Sequence, residues 1–164
     1  MADYHSPTTV QPNIPIAAMT ALELRLLCEL FEFERDDATI YFFATENVAD
    51  TAWIDRTELL ALLDGGDDRP SAIADVVRAE LAATDPQEEE FELDFSLIGY
   101  DRIFQDIVKR RPDIDHIQIV AAWTCTRMRP DGFGGMATVI TAETVESMST
   151  TSFIEEVLAR LASP

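Results

Sequence analysis

The chain has 164 residues, 47% of them hydrophobic, and its thirty-one acidic and twelve basic side chains give a formal net charge of −19. This length suits a single domain, and the apolar content argues against general disorder. No apolar run approaches the roughly 18 residues of a membrane helix. Residues 1–19 contain neither lysine nor arginine and no continuous apolar stretch, so they make a poor secretory signal. We therefore expect a cytoplasmic protein.

The N-terminal segment differs from the rest of the chain in composition. Residues 1–19 contain Pro7, Pro12 and Pro15, which disfavour a helix and predict an extended or mobile arm. Residues 20–164 contain no internal repeat and no linker, so they are predicted to form a single acidic α+β domain.

Five helices are predicted from apolar side chains at helical spacing. They start at Thr20, Asp55, Ser71, Gly99 and Ser152. At the first, second and fifth, a capping residue is followed three positions later by glutamate, which is the capping-box pattern. The second helix is expected to end at the loop of residues 65–68. In the last helix the expected inward side chains are Phe153, Val157, Leu158 and Leu161.

Four strands are predicted between these helices. Residues 39–45 are rich in β-formers, and Phe91, Leu93 and Phe95 alternate with acidic residues that would form one acidic face. Residues 116–128 and 136–146 are predicted to be two long strands of a C-terminal β-hairpin. The predicted fold is therefore α+β, with a mostly antiparallel sheet of about four strands packed against four or five helices.

The loop of the predicted hairpin is the most distinctive segment, because it holds three of the six glycines. Glycine permits a positive φ and allows a close approach to the backbone. Arg127 and Arg129 beside Phe133 would suit a carboxylate, a phosphate or an acidic partner surface. The alternative is a tight turn whose arginines pair with the protein's own acids. The candidate binding residues are Arg127, Arg129, Asp131, Gly132, Phe133, Gly134, Gly135 and His116.

Other residues gave weaker indications of chemistry, and no catalytic residue, metal site or cofactor is predicted. The basic run of residues 109–111 lies at a helix C-terminus, where cations stabilise the helix dipole. His116 could pair with Asp113, but no nucleophile can be placed beside them. The acids of residues 88–94 and of residues 64–68 are weak cation candidates. Cys28 and Cys125 each lie in an apolar periodic segment and are expected to be small buried side chains, with a disulfide between them left open.

The acidic charge is concentrated in one part of the chain. Residues 20–106 carry a net charge of −17, whereas residues 107–164 carry −1. Direct binding to nucleic acid is disfavoured for the acidic part, since it would repel phosphate. We expect a non-enzymatic protein that binds a protein partner, which could be basic, through its acidic surface and the hairpin tip. A homodimer is an option if a sheet edge or an apolar patch is left free.

Two alternatives remain open, together with acidity that serves only solubility or salt adaptation. In size and acidity the chain resembles the anti-restriction class of DNA-mimicking proteins encoded by mobile elements, although it shares no motif with them. This resemblance implies an inhibitor of a nucleic-acid enzyme. The other alternative is a small domain or enzyme that binds an anionic ligand with Arg127 and Arg129.

Overall fold

The computed structural model describes residues 2–65, 67–127 and 129–162. Gly66 and Met128, which the predictions assign to a helix-ending loop and to the end of a strand, lie outside the described residues. The described helices are α1 (Ala21–Leu30), α2 (Arg56–Asp64), α3 (Ala72–Ala83), α4 (Phe95–Ile98), α5 (Asp101–Arg110) and α6 (Thr150–Ala162). The described strands are β1 (Tyr4–His5), β2 (Thr8–Gln11), β3 (Ile14–Pro15), β4 (Glu32–Arg35), β5 (Thr39–Ala44), β6 (Thr51–Asp55), β7 (Glu90–Asp94), β8 (Ile117–Cys125), β9 (Gly134–Ile140) and β10 (Val145–Ser149).

The sheet is larger than the sequence predicts. Eight described strands form one sheet with the order β10-β9-β8-β2-β5-β3, in which β1 pairs with β8 and β4 pairs with β5. Strands β6 and β7 form a separate two-stranded sheet, and every described pairing is antiparallel. The α+β class is confirmed, whereas the prediction of about four strands is wrong. The missed strands are mostly short, and two to five residues give little alternation to detect.

The N-terminal segment is extended, but it is part of the sheet. Strand β2 lies between β8 and β5, and Thr9 is paired with Val120 on one side and with Phe43 on the other. Val10 and Ile14 are almost completely buried. Pro7 and Pro12 flank β2 and do not interrupt it, as expected for a residue that cannot donate a ladder hydrogen bond. The division of the chain at residue 19 therefore has no counterpart in the sheet.

The core lies on one side of the large sheet, which we call the inner face. Helix α5 packs there against β8 and β9, and its predicted apolar side chains are buried. Helix α1 begins with the predicted capping box, in which the Glu23 amide donates to Thr20 Oγ1 at 3.1 Å and the Thr20 amide donates to Glu23 Oε2 at 2.9 Å. The rings of Phe31, Phe42 and Phe104 pack together at centroid distances of 6.0 to 6.2 Å.

The C-terminal hairpin is a three-stranded meander. Strand β8 pairs with β9 from Ile117 opposite Ile140 to Trp123 opposite Gly134. The predicted strand of residues 136–146 is two strands, because the chain turns at residues 141–144. There the Thr144 amide donates to Thr141 Oγ1 at 3.0 Å, and the Thr141 amide donates to the Thr144 carbonyl at 2.9 Å. A turn built on a threonine side chain carries no glycine or proline signal.

Helix α6 differs most from its prediction. It begins at Thr150, two residues before the predicted start at Ser152, and Phe153, Leu158 and Leu161 are exposed while Val157 is only half-buried. The expectation that these side chains face inward is wrong. The helix starts directly after β10, and its main contacts with the sheet are to β9 and β10. Among the described helices, none has the length and apolar character required to span a membrane.

Candidate functional site

The tip of the β8–β9 hairpin is the loop of residues 126–133, and the N-terminal strand β1 pairs with β8 beside this loop. Strand β1 pairs with the end of β8, with Tyr4 opposite Cys125 and His5 opposite Thr124. Next to this pairing, the Thr126 amide donates to the Asp3 carbonyl at 3.0 Å. A short 3-10 helix, Pro130–Gly132, then leads into β9. Since β8 ends at Cys125, Arg127 lies in the loop and not, as predicted, on the strand, and Arg129 lies in the same loop.

The tip glycines serve internal packing. A Cβ atom on Gly132 would lie 2.5 Å from Cys125 Cβ, and one on Gly134 would lie 2.7 Å from the Trp123 ring. Neither glycine has a positive φ, because Gly99 is the one described residue with this conformation. The close approach predicted for the tip is therefore made by the protein's own side chains. Gly135 is a paired residue of β9 whose amide donates to Thr150 Oγ1 at 3.2 Å.

Within the described ranges, the arginines of the tip have no acidic side chain as an ion-pair partner. Both Arg127 and Arg129 are exposed. Phe133 between them and β9 leaves 44% of its surface exposed. Interaction with the neighbouring Cys125 side chain raises the pKa of the Tyr4 phenol, and a hydrogen bond with Arg129 acts in the opposite direction. Cationic, aromatic and phenolic groups thus meet at the tip.

An open pocket of about 440 Å³ lies beside the tip. It is lined by Tyr4, His5, Ser6, Trp123, Thr124, Asp131, Gly132, Phe133 and Thr151. The Nδ1 atom of His5 is buried and has no hydrogen-bond partner among the described residues. His5 was not predicted to be a site residue, because only the pairing of β1 with β8 brings it to the tip. Arg127 and Arg129 are not among the lining residues.

His116 is separate from the tip, so its inclusion in the candidate site is wrong. It precedes β8, whose nine residues span about 30 Å, whereas the tip follows the other end of that strand. It lines a different depression of about 350 Å³ with Gln11, Pro12 and Asp115. Its proposed partner Asp113 instead accepts hydrogen bonds from the Arg111 guanidinium at 2.7 and 2.8 Å, which lower the pKa of Asp113 to about 2.

The basic run at the end of α5 is used inside the molecule. The Arg110 guanidinium forms an ion pair with Glu23, whose side chain is completely buried. The Ser71 hydroxyl also donates to the Glu23 carboxylate, at 2.7 Å. Lys109 and Arg111 pair with acids close to them in sequence. The Glu23–Arg110 pair was not predicted. The one signal for it in the sequence is a glutamate on the apolar side of α1.

The acidic face predicted on residues 90–94 is present. Phe91 and Leu93 are buried, and Glu90, Glu92 and Asp94 alternate with them on the exposed side of β7. Trp53 and Asp55 of β6 are paired with Glu92 and Glu90. We call these exposed side chains of β6 and β7 the acidic face.

The acids of residues 64–68, the other candidate for binding a cation, lie in the wall of a cavity. Asp64, Asp67 and Asp68 help to line a cavity of about 590 Å³. Arg69 forms an ion pair with Asp67 at 2.6 Å, and its hydrogen bonds lower the pKa of that carboxyl. Within the described ranges, no group of three or more histidine, cysteine or acidic side chains is arranged to hold a metal ion.

Comparison of this chain with protein-family models, with curated proteins and with solved structures finds no match.

Proposed function

We propose that the protein is a non-enzymatic binding domain that engages a protein partner through the tip. The observation that carries this proposal is the pair of exposed guanidinium groups of Arg127 and Arg129, which form no ion pair with a described acid, beside the half-exposed ring of Phe133. In a chain with thirty-one acids, arginines such as Arg25, Arg69 and Arg110 pair internally. Arginine and aromatic side chains are the residue types that contribute most to binding at protein interfaces.

The chemistry of the tip indicates the kind of partner. Two guanidinium groups favour a carboxylate-bearing segment, because they can form charge-assisted hydrogen bonds with it. The aromatic walls of the neighbouring pocket, Tyr4, Trp123 and Phe133, favour an apolar side chain of the same segment. The acidic face on β6 and β7 is a second surface, suited to a basic region of a partner. The small-ligand alternative has less support, since neither arginine lines the pocket.

The proposal can be tested by quantitative affinity purification from the source cell. The bait variants are Arg127→Ala combined with Arg129→Ala, and separately Phe133→Ala. A matched control replaces two exposed arginines away from the tip, Arg35 and Arg102, by alanine. We expect partners that the wild type and the control retain and that both tip variants lose. Recovery of no partner at low or moderate salt, or of the same partners by all four baits, would reject the proposal.

A second candidate, the DNA-mimicking inhibitor, is favoured by one observation. Glu90, Glu92 and Asp94 form a row on β7, with neighbouring carboxylates about 7 Å apart because alternate residues share a face. One DNA strand carries a charge about every 3.4 Å of axis, so this row has about half the linear charge density of one strand. If the protein mimics DNA, we expect the recovered partners to be nucleic-acid enzymes, and duplex DNA should displace them from this protein. Glu90→Gln with Glu92→Gln would weaken their binding, and the tip variants would not.

A further inference from the structure

Helix α6 carries an apolar stripe that nothing described in this chain covers. Phe153, Ile154, Val157, Leu158 and Leu161 recur at a spacing that places them on one side of a helix. Four of them are exposed, at 54% for Phe153, 55% for Ile154, 59% for Leu158 and 77% for Leu161. We call these five side chains the α6 stripe. A stripe of this width is typical of a helix packed against a second layer.

The attachment of α6 prevents the stripe from folding back over its own sheet. No connecting residue separates Ser149, the last residue of β10, from Thr150, the first residue of the helix. The Ser152 amide donates to Ser149 Oγ at 3.0 Å, and Thr150 Oγ1 accepts from the Gly135 amide of β9 at 3.2 Å. A reversal of the helix would break these hydrogen bonds, so the stripe must find its cover elsewhere.

The same chain contains a sheet face with exposed apolar side chains that no described helix covers. On the side of the large sheet opposite the core, which we call the open face, Val120 is 49% exposed and Val139 is 42% exposed. Next to Val120, the small side chain of Thr9 separates β8 from the stacked rings of Tyr41 and Phe43, whose centroids are 5.3 Å apart. The result is a shallow groove of about 550 Å³ that runs over β2.

We infer that a second copy of this chain covers both surfaces, with the α6 stripe of each copy lying on the open face of the other. The exchange is reciprocal, so a two-fold axis closes it and both copies bury the same surfaces. The lengths agree, since thirteen helical residues span about 20 Å and the five strands from β5 to β10 are about 19 Å wide at the usual strand spacing. Each copy receives the second layer that an apolar sheet face requires.

The apolar area is sufficient for a stable dimer. With about 150 Å² or more for each large side chain, the exposed parts of the α6 stripe amount to about 400 Å². With an equal area contributed by each open face, two helices and two sheet faces bury about 1,600 Å² in total, which is the standard size of a specific interface. A single apolar patch of about 400 Å² is common on a monomer. This chain has two such patches, one on a helix and one on a sheet, and a helix packed on a sheet would bury both.

Charge gives the dimer a distinctive salt dependence. Each copy carries −19, and Glu34 lines the groove, so two copies repel each other at low salt. The acids of α6, Glu155 and Glu156, lie at positions on the opposite side of the helix from the stripe. Because salt screens repulsion and does not weaken apolar contacts, the dimer is expected to tighten as salt rises. Binding of a charged partner at the tip is expected to weaken under the same change.

Sedimentation equilibrium of the full chain over a concentration series tests the inference. We expect a dimer with a Kd in the micromolar range or below, as for interfaces of this size. Leu158→Glu on the stripe and Val120→Glu on the open face should each raise the Kd by about 100-fold or more, since symmetry buries each new carboxylate twice. Leu97→Glu is the matched control, because Leu97 of α4 is an exposed leucine on neither surface.

A mixing experiment separates reciprocal exchange from other dimers. The Leu158→Glu variant keeps an intact open face and Val120→Glu keeps an intact stripe, so an equimolar mixture should form a heterodimer with one intact contact and a Kd between those of the wild type and the single variants. Far-ultraviolet circular dichroism checks that both variants fold. A monomer at high micromolar concentration, or a dimer that both substitutions leave unchanged, overturns the inference, and the latter result would instead favour pairing through the β10 edge. A dimer that persists in the Arg127→Ala, Arg129→Ala variant separates this inference from the proposed function.

Discussion

The Glu23–Arg110 network and the tip use arginine in opposite ways. Arg110 is largely buried at the end of α5 and pairs with a carboxylate that has no contact with solvent. Arg127 and Arg129 are exposed, with no ion pair to the described acids. In the first region the chain neutralises a charge that it has removed from water, as a buried charge requires. In the second it leaves two charges without an ion pair to the described acids where water still solvates them, which costs little stability.

Basic residues that are adjacent in the sequence have different partners in the structure. Lys109, Arg110 and Arg111 are adjacent, but each pairs with a different acid. A basic run in an acidic protein is therefore not evidence of a basic surface. The informative property is whether the guanidinium has a partner, and that depends on residues distant in sequence, as the separation of Glu23 from Arg110 shows.

The largest predicted effect comes from breaking the buried pair. Arg110→Met should lower the free energy of unfolding by about 3 to 5 kcal/mol, because it leaves the buried Glu23 carboxylate without its cation. Arg127→Met is the matched control at the tip and should change the free energy of unfolding by less than about 0.5 kcal/mol. Urea unfolding measures both. Equal losses in the two variants would show that the tip arginines are structural and would contradict the comparison.

An intermediate effect tests whether the tip is a packed structure. Gly132→Ala places a Cβ atom 2.5 Å from Cys125 Cβ and should cost about 1 to 3 kcal/mol, since a packed site cannot accept the extra methyl group without a shift. Gly65→Ala is the control, because its Cβ atom would meet its nearest neighbour, the Ala61 carbonyl oxygen, at 3.4 Å. Thermal unfolding of both variants gives the difference. If Gly132→Ala is as stable as the control, the loop is not packed on Cys125.

Local signals in the sequence predict the elements that depend on local chemistry. The capping box at Thr20 and Glu23, the apolar side of α5 and the alternation along β7 all appear in the structure as predicted. Each depends on residues within a few positions of one another, so periodicity and capping rules are sufficient.

Long-range pairing accounts for what the sequence could not predict. Strand β2 belongs to the sheet only because β8 and β5 flank it, and its four residues carry too little pattern to reveal this. His5 reaches the tip through the pairing of Tyr4 with Cys125, across more than a hundred residues. The apolar stripe of α6 predicted side chains that face inward, whereas in the structure the stripe is exposed, because helical spacing shows which side of a helix is apolar and not what that side contacts. For the candidate site, the sequence predicted a glycine-rich hairpin tip, and the structure separates His116 from that tip.

The smallest predicted effect is a pH dependence of the exposed Arg111–Asp113 pair in the same basic run. Hydrogen bonds from Arg111 lower the pKa of Asp113 to about 2 in the folded protein, compared with about 3.9 for an unperturbed aspartate. A lowered carboxyl pKa stabilises the folded state above the unfolded value, and this stabilisation is lost as the pH falls from about 4 through about 2. Arg111→Gln should therefore lower the melting temperature slightly near neutral pH and make no difference below about pH 2. Melting curves of the two proteins across this range measure the effect, and a difference that grows as the pH falls would show that Arg111 stabilises the fold by a route other than Asp113.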